Sequence, residues 1–142
     1  IDHIKSLVND YNEGNWESWA SHYADTAKVF HNSLESTSVA EALDGLKANL
    51  AATSSYGFTD KDMFHEMVID EDNETWVNFW GTWEGTLKGN SQKLVIPVHL
   101  TARFVEGKIV REYAYYNLSE FVLAMQDIEA AKLAEESESE EE

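Results

Sequence analysis

Five histidines and no cysteine set the proton chemistry open to this chain. Three of the histidines, His31, His65 and His99, fall inside stretches that read as strands rather than loops. In "FTDKDMFHEMVI", His65 has Met63, Met67 and Ile69 at two-residue steps, so it shares an apolar face with them. In "QKLVIPVHLTARFV", His99 shares its face with Pro97, Thr101 and Arg103, and His31 closes the short run "AKVFHN" one step past Phe30. An imidazole that titrates near neutrality can take or give a proton, which suits general acid–base catalysis. Taken singly, each could equally be a core or rim histidine satisfied by a neighbour. Three of them on separate strands of one sheet make convergence at one site the sharper expectation, with His65 and His99 as the proton-transferring pair. His3 and His22 lie off the inner stripes of their helices and read as surface residues.

Other chemistries have less support. No two histidines sit at the close spacing that makes a zinc motif specific, so neither a metal nor a cofactor is expected. "DEDNET", Asp70 to Thr75, resembles the start of a calcium loop. It has Thr75 and Gly81 where such a loop needs Gly and Glu, and a hairpin turn explains it better. Arg103 is a candidate for an anionic ligand, with pairing to Glu106 or Glu112 as the alternative for it and for Arg111. Tyr115 belongs to a tyrosine cluster with Tyr113 and Tyr116 that could serve as a ligand platform or as ordinary strand packing. Tyr11, Trp16, Tyr23 and Trp80 are candidate walls, since aromatic walls suit an apolar ligand and exclude water.

These residues need elements to carry them. Ile4, Leu7, Val8 and Tyr11 repeat at helical spacing up to Gly14, and Asn15 can cap a second helix with Trp16, Trp19, Ala20 and Tyr23 inside. Ser38 and Glu41 form a capping box ahead of a helix bearing Leu43, Leu46 and Leu50. From Gly57 four long strand-like runs follow, joined by "DEDN", "KGNS" and "EG", as in an antiparallel meander. Ser119 then caps a last helix with Phe121, Met125 and Ile128 on one stripe. The expected class is α+β: N-terminal helices packed in a strongly curved, mainly antiparallel sheet, with a C-terminal helix. In "ETWVNFWGTWEGTL", Trp76 and Trp80 fall on one face of a strand and Val77, Phe79 and Trp83 on the other. Both faces are loaded, as expected where one covers a core and the other a second copy, with Gly81 and Gly85 relieving crowding at a bend.

At 142 residues the chain suits one domain, residues 1–134, with an acidic tail at 135–142 that extends the last helix. The formal charge is −17, and "EESESEEE" alone contributes six carboxylates. Such a field repels nucleic acid and anionic lipid, so neither is an expected partner. No apolar run approaches the ~20 residues of a membrane span, so no membrane insertion is expected. The chain starts at Ile1, so an earlier segment, a removed leader included, leaves the compartment open.

"YNEGNWESWASHYADTAKVF" resembles the opening helix pair and the "YADDA" lead into the first strand of the nuclear transport factor 2-like cone fold. That superfamily includes SnoaL-like polyketide cyclases, ketosteroid isomerases and scytalone dehydratase. "IPVHLTARFVEGKIVREYAYYN" is similar to its closing "F-x-x-G-K-I" hairpin, and the order of elements matches over residues 3 to about 130. The resemblance implies a deep pocket between helices and concave sheet, and a homodimer through the outer sheet face. It places His31 about where ketosteroid isomerases have their base carboxylate, and His99 about where they have an oxyanion-stabilising acid. His65 and His99 fall near the two catalytic histidines of scytalone dehydratase. Two departures matter: Leu7 or a neighbour stands at the isomerase tyrosine, and Asn117 stands at the acid–base aspartate of SnoaL-like cyclases. An amide cannot shuttle protons, so Asn117, with His31, is expected to orient a ligand. The implied function is binding of a small, largely apolar molecule, as a lyase or isomerase using histidine acid–base chemistry. A non-catalytic binding or dimerisation module is the alternative.

Overall fold

The computed structural model describes residues 1–141. Helix α1 (Asp2–Glu13) ends at Gly14, whose φ of 69° is the left-handed geometry that closes a helix. Asn15 caps α2 (Trp16–Ser21) by accepting from the Ser18 amide. Strand β1 (Tyr23–His31) begins earlier than the pattern suggests, so Tyr23 belongs to the sheet and not to α2. Helix α3 (Val39–Leu50) has both bonds of the Ser38–Glu41 capping box. Then come β2 (Thr53–Phe58), β3 (Phe64–Ile69), β4 (Thr75–Leu87), β5 (Lys93–Val105) and β6 (Lys108–Tyr116), and finally α4 (Ser119–Glu141). The first long strand-like run is split: β3 pairs with Thr75–Trp80 of β4, and β2 with Trp83–Leu87, either side of the break at 59–63.

The sheet order is β1-β6-β5-β4-β2, with β3 also on β4. Every pairing is antiparallel except β1 with β6, which is parallel. The fold is α+β: N-terminal helices against a strongly curled mixed sheet, closed by a C-terminal helix. The acidic run continues α4 as helix to Glu141, and its last residue, Glu142, lies outside the described residues.

Register decides what each face carries. Val77, Phe79, Trp83 and Leu87 of β4 point to the concave side and are buried. They meet Leu94, Ile96 and Ala102 of β5 and two clusters of helical side chains, one around Ile4, Leu7 and Trp19, the other around Phe121 and Ala124. Trp76 and Trp80 point to the convex side, as alternation predicts. The two glycines serve the concave face. A Cβ at Gly81 would lie 2.5 Å from the ring of Phe79, and one at Gly85 closer still to the indole of Trp83. The rings of residues 79 and 83 lie along the strand over the space that the next inward position leaves empty.

Overpacking of this kind costs about 1–3 kcal/mol. Gly85→Ala is therefore expected to lower stability by about that amount in urea unfolding. Gly45→Ala, on α3 with nothing near its Cβ, should raise it by ~0.5–1 kcal/mol. Equal effects of the two substitutions would contradict this account of the Trp83 packing.

Candidate functional site

Between α1, α2 and α3 on one side and the concave faces of β4, β5 and β6 on the other lies a cavity of about 110 Å³. Leu118 and Phe121, at the start of α4, close one wall. The lining is apolar and aromatic except for Asn49 of α3 and one group of polar residues on β1 and β6. Glu112 of β6 points inward beside Ala114 and is 1% exposed. Its Oε1 accepts a hydrogen bond from the Tyr23 hydroxyl at 2.6 Å, and its Oε2 lies 3.0 Å from His31 Nε2. The parallel pairing of β1 with β6, with Val29 opposite Glu112 and His31 opposite Ala114, brings the three together.

A carboxylate only accepts, so Nε2 of His31 carries the shared proton. Nδ1 then keeps its lone pair while the ring is neutral. Burial, with Glu112 next to it, pushes the Tyr23 hydroxyl well above the usual tyrosine range, so it stays a donor. Tyr11 also lines the cavity, and its oxygen accepts from the Trp83 indole N–H at 2.9 Å. That leaves the Tyr11 proton available, and burial raises its pKa too. The site can thus take a proton at His31, hold it through Glu112, and donate a hydrogen bond from Tyr11.

Three of the sequence-expected site residues line this cavity: His31, Tyr11 and Tyr23. The expected convergence of three histidines does not occur. His99 pairs across the sheet with Trp80 and Tyr115 on the convex side and stacks on the Trp80 ring, 4.5 Å between centroids. A one-step alternation against inward-facing Leu100 turns it away from the cavity. His65 points to the concave side and packs on Phe79, but β3 lies beyond the cavity and its ring does not line it. The Nε2 atoms of both are buried without a hydrogen-bond partner.

The remaining candidates are also elsewhere. Trp16 packs edge-on against Tyr11 and Trp19, behind the lining. Trp80 and Tyr115 are on the convex face, 37% and 50% exposed. Arg103 pairs with Glu74 at 3.3 Å, not with Glu106 or Glu112, because β4 lies opposite β5 there. Arg111 lies over the rings of Phe30 and Tyr113 and donates to the Tyr113 hydroxyl. The side chain of Asn117 accepts from the Ser119 amide at 2.9 Å, so it fixes the start of α4, with Ser119 inside the helix. His22 is not a free surface residue: with Ser18 it binds the buried carboxylate of Asp10, tying α2 to α1.

Glu112 is the residue that the sequence reading missed. Its signal was its position, an acid alternating with Ala114 and Tyr116 on an inward face, and pairing with an arginine was the simpler reading. The "DEDNET" segment is a hairpin turn. Asp70, Asp72 and Glu74 come together there, and Asp70 accepts from the Asp72 and Glu74 amides and the Trp76 indole. Those bonds, the Glu74 amide foremost, hold the Asp70 carboxyl below the usual range.

Comparison with known proteins places this geometry. The profile of the SnoaL-like domain family matches residues 4–112. No curated protein sequence matches the chain. Among solved structures, AclR of Streptomyces galilaeus, described as a candidate hydroxylase, superposes with a TM-score of 0.72 at 16% identity, covering 89% of this chain and 94% of that one. A candidate polyketide cyclase from Xanthomonas campestris pv. campestris gives 0.67 at 17%, covering 86% and 93%. A ketosteroid isomerase-like protein from Catenulispora acidiphila, in complex with trimethylamine, gives 0.63 at 17%, covering 82% and 86%. At these identities the likeness is one of fold.

His65 supplies a pH test that leaves the cavity untouched. Burial, then Lys5 and the N-terminal amine, lower its pKa from the ordinary 6.5. A depressed histidine favours the neutral ring in the folded state, so its contribution is present above ~6.5 and lost as pH falls through the folded value. In thermal melts between about pH 7 and 5, His65→Leu is expected to lose less stability than the unchanged protein. Parallel curves would show that His65 is not strained in this way.

Proposed function

The chain belongs to the SnoaL-like domain family, and from that premise we propose that it binds a small, largely apolar molecule in the cavity and moves a proton on it with His31. The observation that carries this reading is the His31–Glu112–Tyr23 group, a buried acid–base set in an otherwise apolar wall. Glu112 orients the imidazole and stabilises its protonated form, as a carboxylate behind a catalytic histidine does. Tyr11 supplies a hydrogen bond for an oxygen of the substrate. The reaction class is that of a lyase or isomerase, in which a carbon-bound proton is taken and a double bond forms or shifts. The small ligand carried by the Catenulispora protein is in keeping with a cavity of this size. His65 and His99, the pair that the sequence favoured, stand outside this arrangement.

Proton transfer can be read without the natural substrate. Small cyclic ketones incubated in deuterated buffer exchange the hydrogens beside the carbonyl when a base is close, and proton NMR follows the loss. His31→Gln is expected to slow protein-dependent exchange by about 10²–10⁴-fold, the range of a general base. His99→Gln should stay within a few-fold. Ketone binding with no exchange in any variant would favour the non-catalytic binder.

The convex face supports a second proposal, a homodimer. Phe64 and Trp80 pack together there with their outer surfaces exposed, and Tyr115 and the unpartnered Nε2 of His99 lie beside them. An apolar patch on a sheet, with an orphan polar atom inside it, suits burial against a second copy. Light scattering on the eluting protein is expected to give about twice 16.1 kDa, and Trp80→Glu close to 16.1 kDa. A monomer in both cases would leave the tryptophan face without this role.

A further inference from the structure

The charge and the hydrogen-bonding capacity of the cavity wall narrow the ligand further. Glu112 brings a carboxylate to the lining, and no lysine or arginine among the described residues lines it. That carboxylate lies in a medium that screens charge poorly, with His31 as its basic neighbour. At the Glu112 end the polar groups have the same bias, whereas Tyr11 and Asn49 line the cavity from the helices. The Tyr23 proton is already given to Glu112, and so is the Nε2 proton of His31. What remains at that end is a lone pair on His31 Nδ1 and the carboxylate itself. The lone pair calls for a donor, and the carboxylate attracts positive charge.

The rest of the lining points the same way. Rings from Trp19, Phe58, Phe79, Trp83 and Phe121, with three tyrosines, surround the space. Aromatic faces attract cations, and more strongly when water is excluded. The whole chain carries −17 and concentrates cations around itself while repelling anions. Size sets the scale: an apolar cavity of about 150 Å³ holds benzene, so one of about 110 Å³ takes a single small ring or a branched chain.

We propose that the ligand is a compact hydrocarbon amine in its protonated form, with its ammonium group drawn to the Glu112 end and its hydrocarbon part among the rings. The proposal rests on the reading of the cavity as a small-molecule site. An N–H of the ammonium can donate to the lone pair left on His31 Nδ1.

Three probes of one shape and different charge test it: cyclohexylmethylammonium, cyclohexylmethanol and cyclohexanecarboxylate. Binding near pH 8 is followed by titration calorimetry and by the fluorescence of Trp19 and Trp83. The expected order is ammonium tightest, by about tenfold over the alcohol, with the carboxylate weakest. The preference should persist in 1 M salt, where the surface field is screened within about 3 Å. It should fall to about twofold or less in Glu112→Gln, which still accepts from Tyr23. If that variant does not fold, the salt series on the unchanged protein decides. Alcohol binding as tightly as ammonium, or a preference that vanishes in salt, overturns the amine and leaves the cavity reading standing. If none of the three binds, the reading of the cavity as a small-molecule site falls with it.

Discussion

A carboxylate held at 1% exposure among aromatic rings is tolerable only if its oxygens are satisfied where they sit. Glu112 meets that condition with two donors from one neighbouring strand, Tyr23 at its start and His31 at its end. β1 lies alongside β6 at a register that delivers both. The irregular pairing between Tyr23 and Lys28 lets the two side chains reach the same carboxylate. Removing β1 would strand a charge inside the cone, so the closing of the sheet and the chemistry of its interior are one constraint.

The tryptophan strand obeys a similar economy. β4 carries Phe79 and Trp83 inward and Trp76 and Trp80 outward, and each has a separate reason to be there. Trp83 reaches across the cavity to donate to Tyr11, and so sets which way the Tyr11 proton is free to point. Trp76 locks the hairpin turn through Asp70. Trp80 does neither: it stacks on His99 and stays partly exposed. Close spacing in the sequence conceals three unrelated roles, which the two-residue pleat separates.

Most of the fold was legible because periodicity and caps are local. Gly14, Asn15 and the Ser38–Glu41 box ended or began helices where they stood, and the alternation of β4 gave the correct face for every bulky residue. The site was legible in part. His31, Tyr11 and Tyr23 reached the cavity, whereas His65 and His99 looked equally promising and did not. A histidine at alternate positions with apolar neighbours announces a face but not which face, nor how far along the cone it sits. Glu112 was hidden for the converse reason. Its burial depends on donors 81 and 89 residues away in sequence, and no local pattern records them.

Likeness of fold does not carry a reaction with it, and the polar residues here show why. Asn117, which the resemblance sets near the cyclase aspartate, closes a turn into α4 and has its oxygen occupied by the Ser119 amide. His99, which the resemblance sets near the isomerase oxyanion acid, faces outward against Trp80. Of the positions carried over from the resemblance, Leu7 and His31 line the cavity, and of these His31 has a proton to move and is held by a glutamate from β6. The proton chemistry proposed for this chain therefore rests on a histidine–glutamate–tyrosine set on its parallel strand pair. Its acids and bases are sought in that set, since the side chains of Asn117 and His99 are engaged elsewhere.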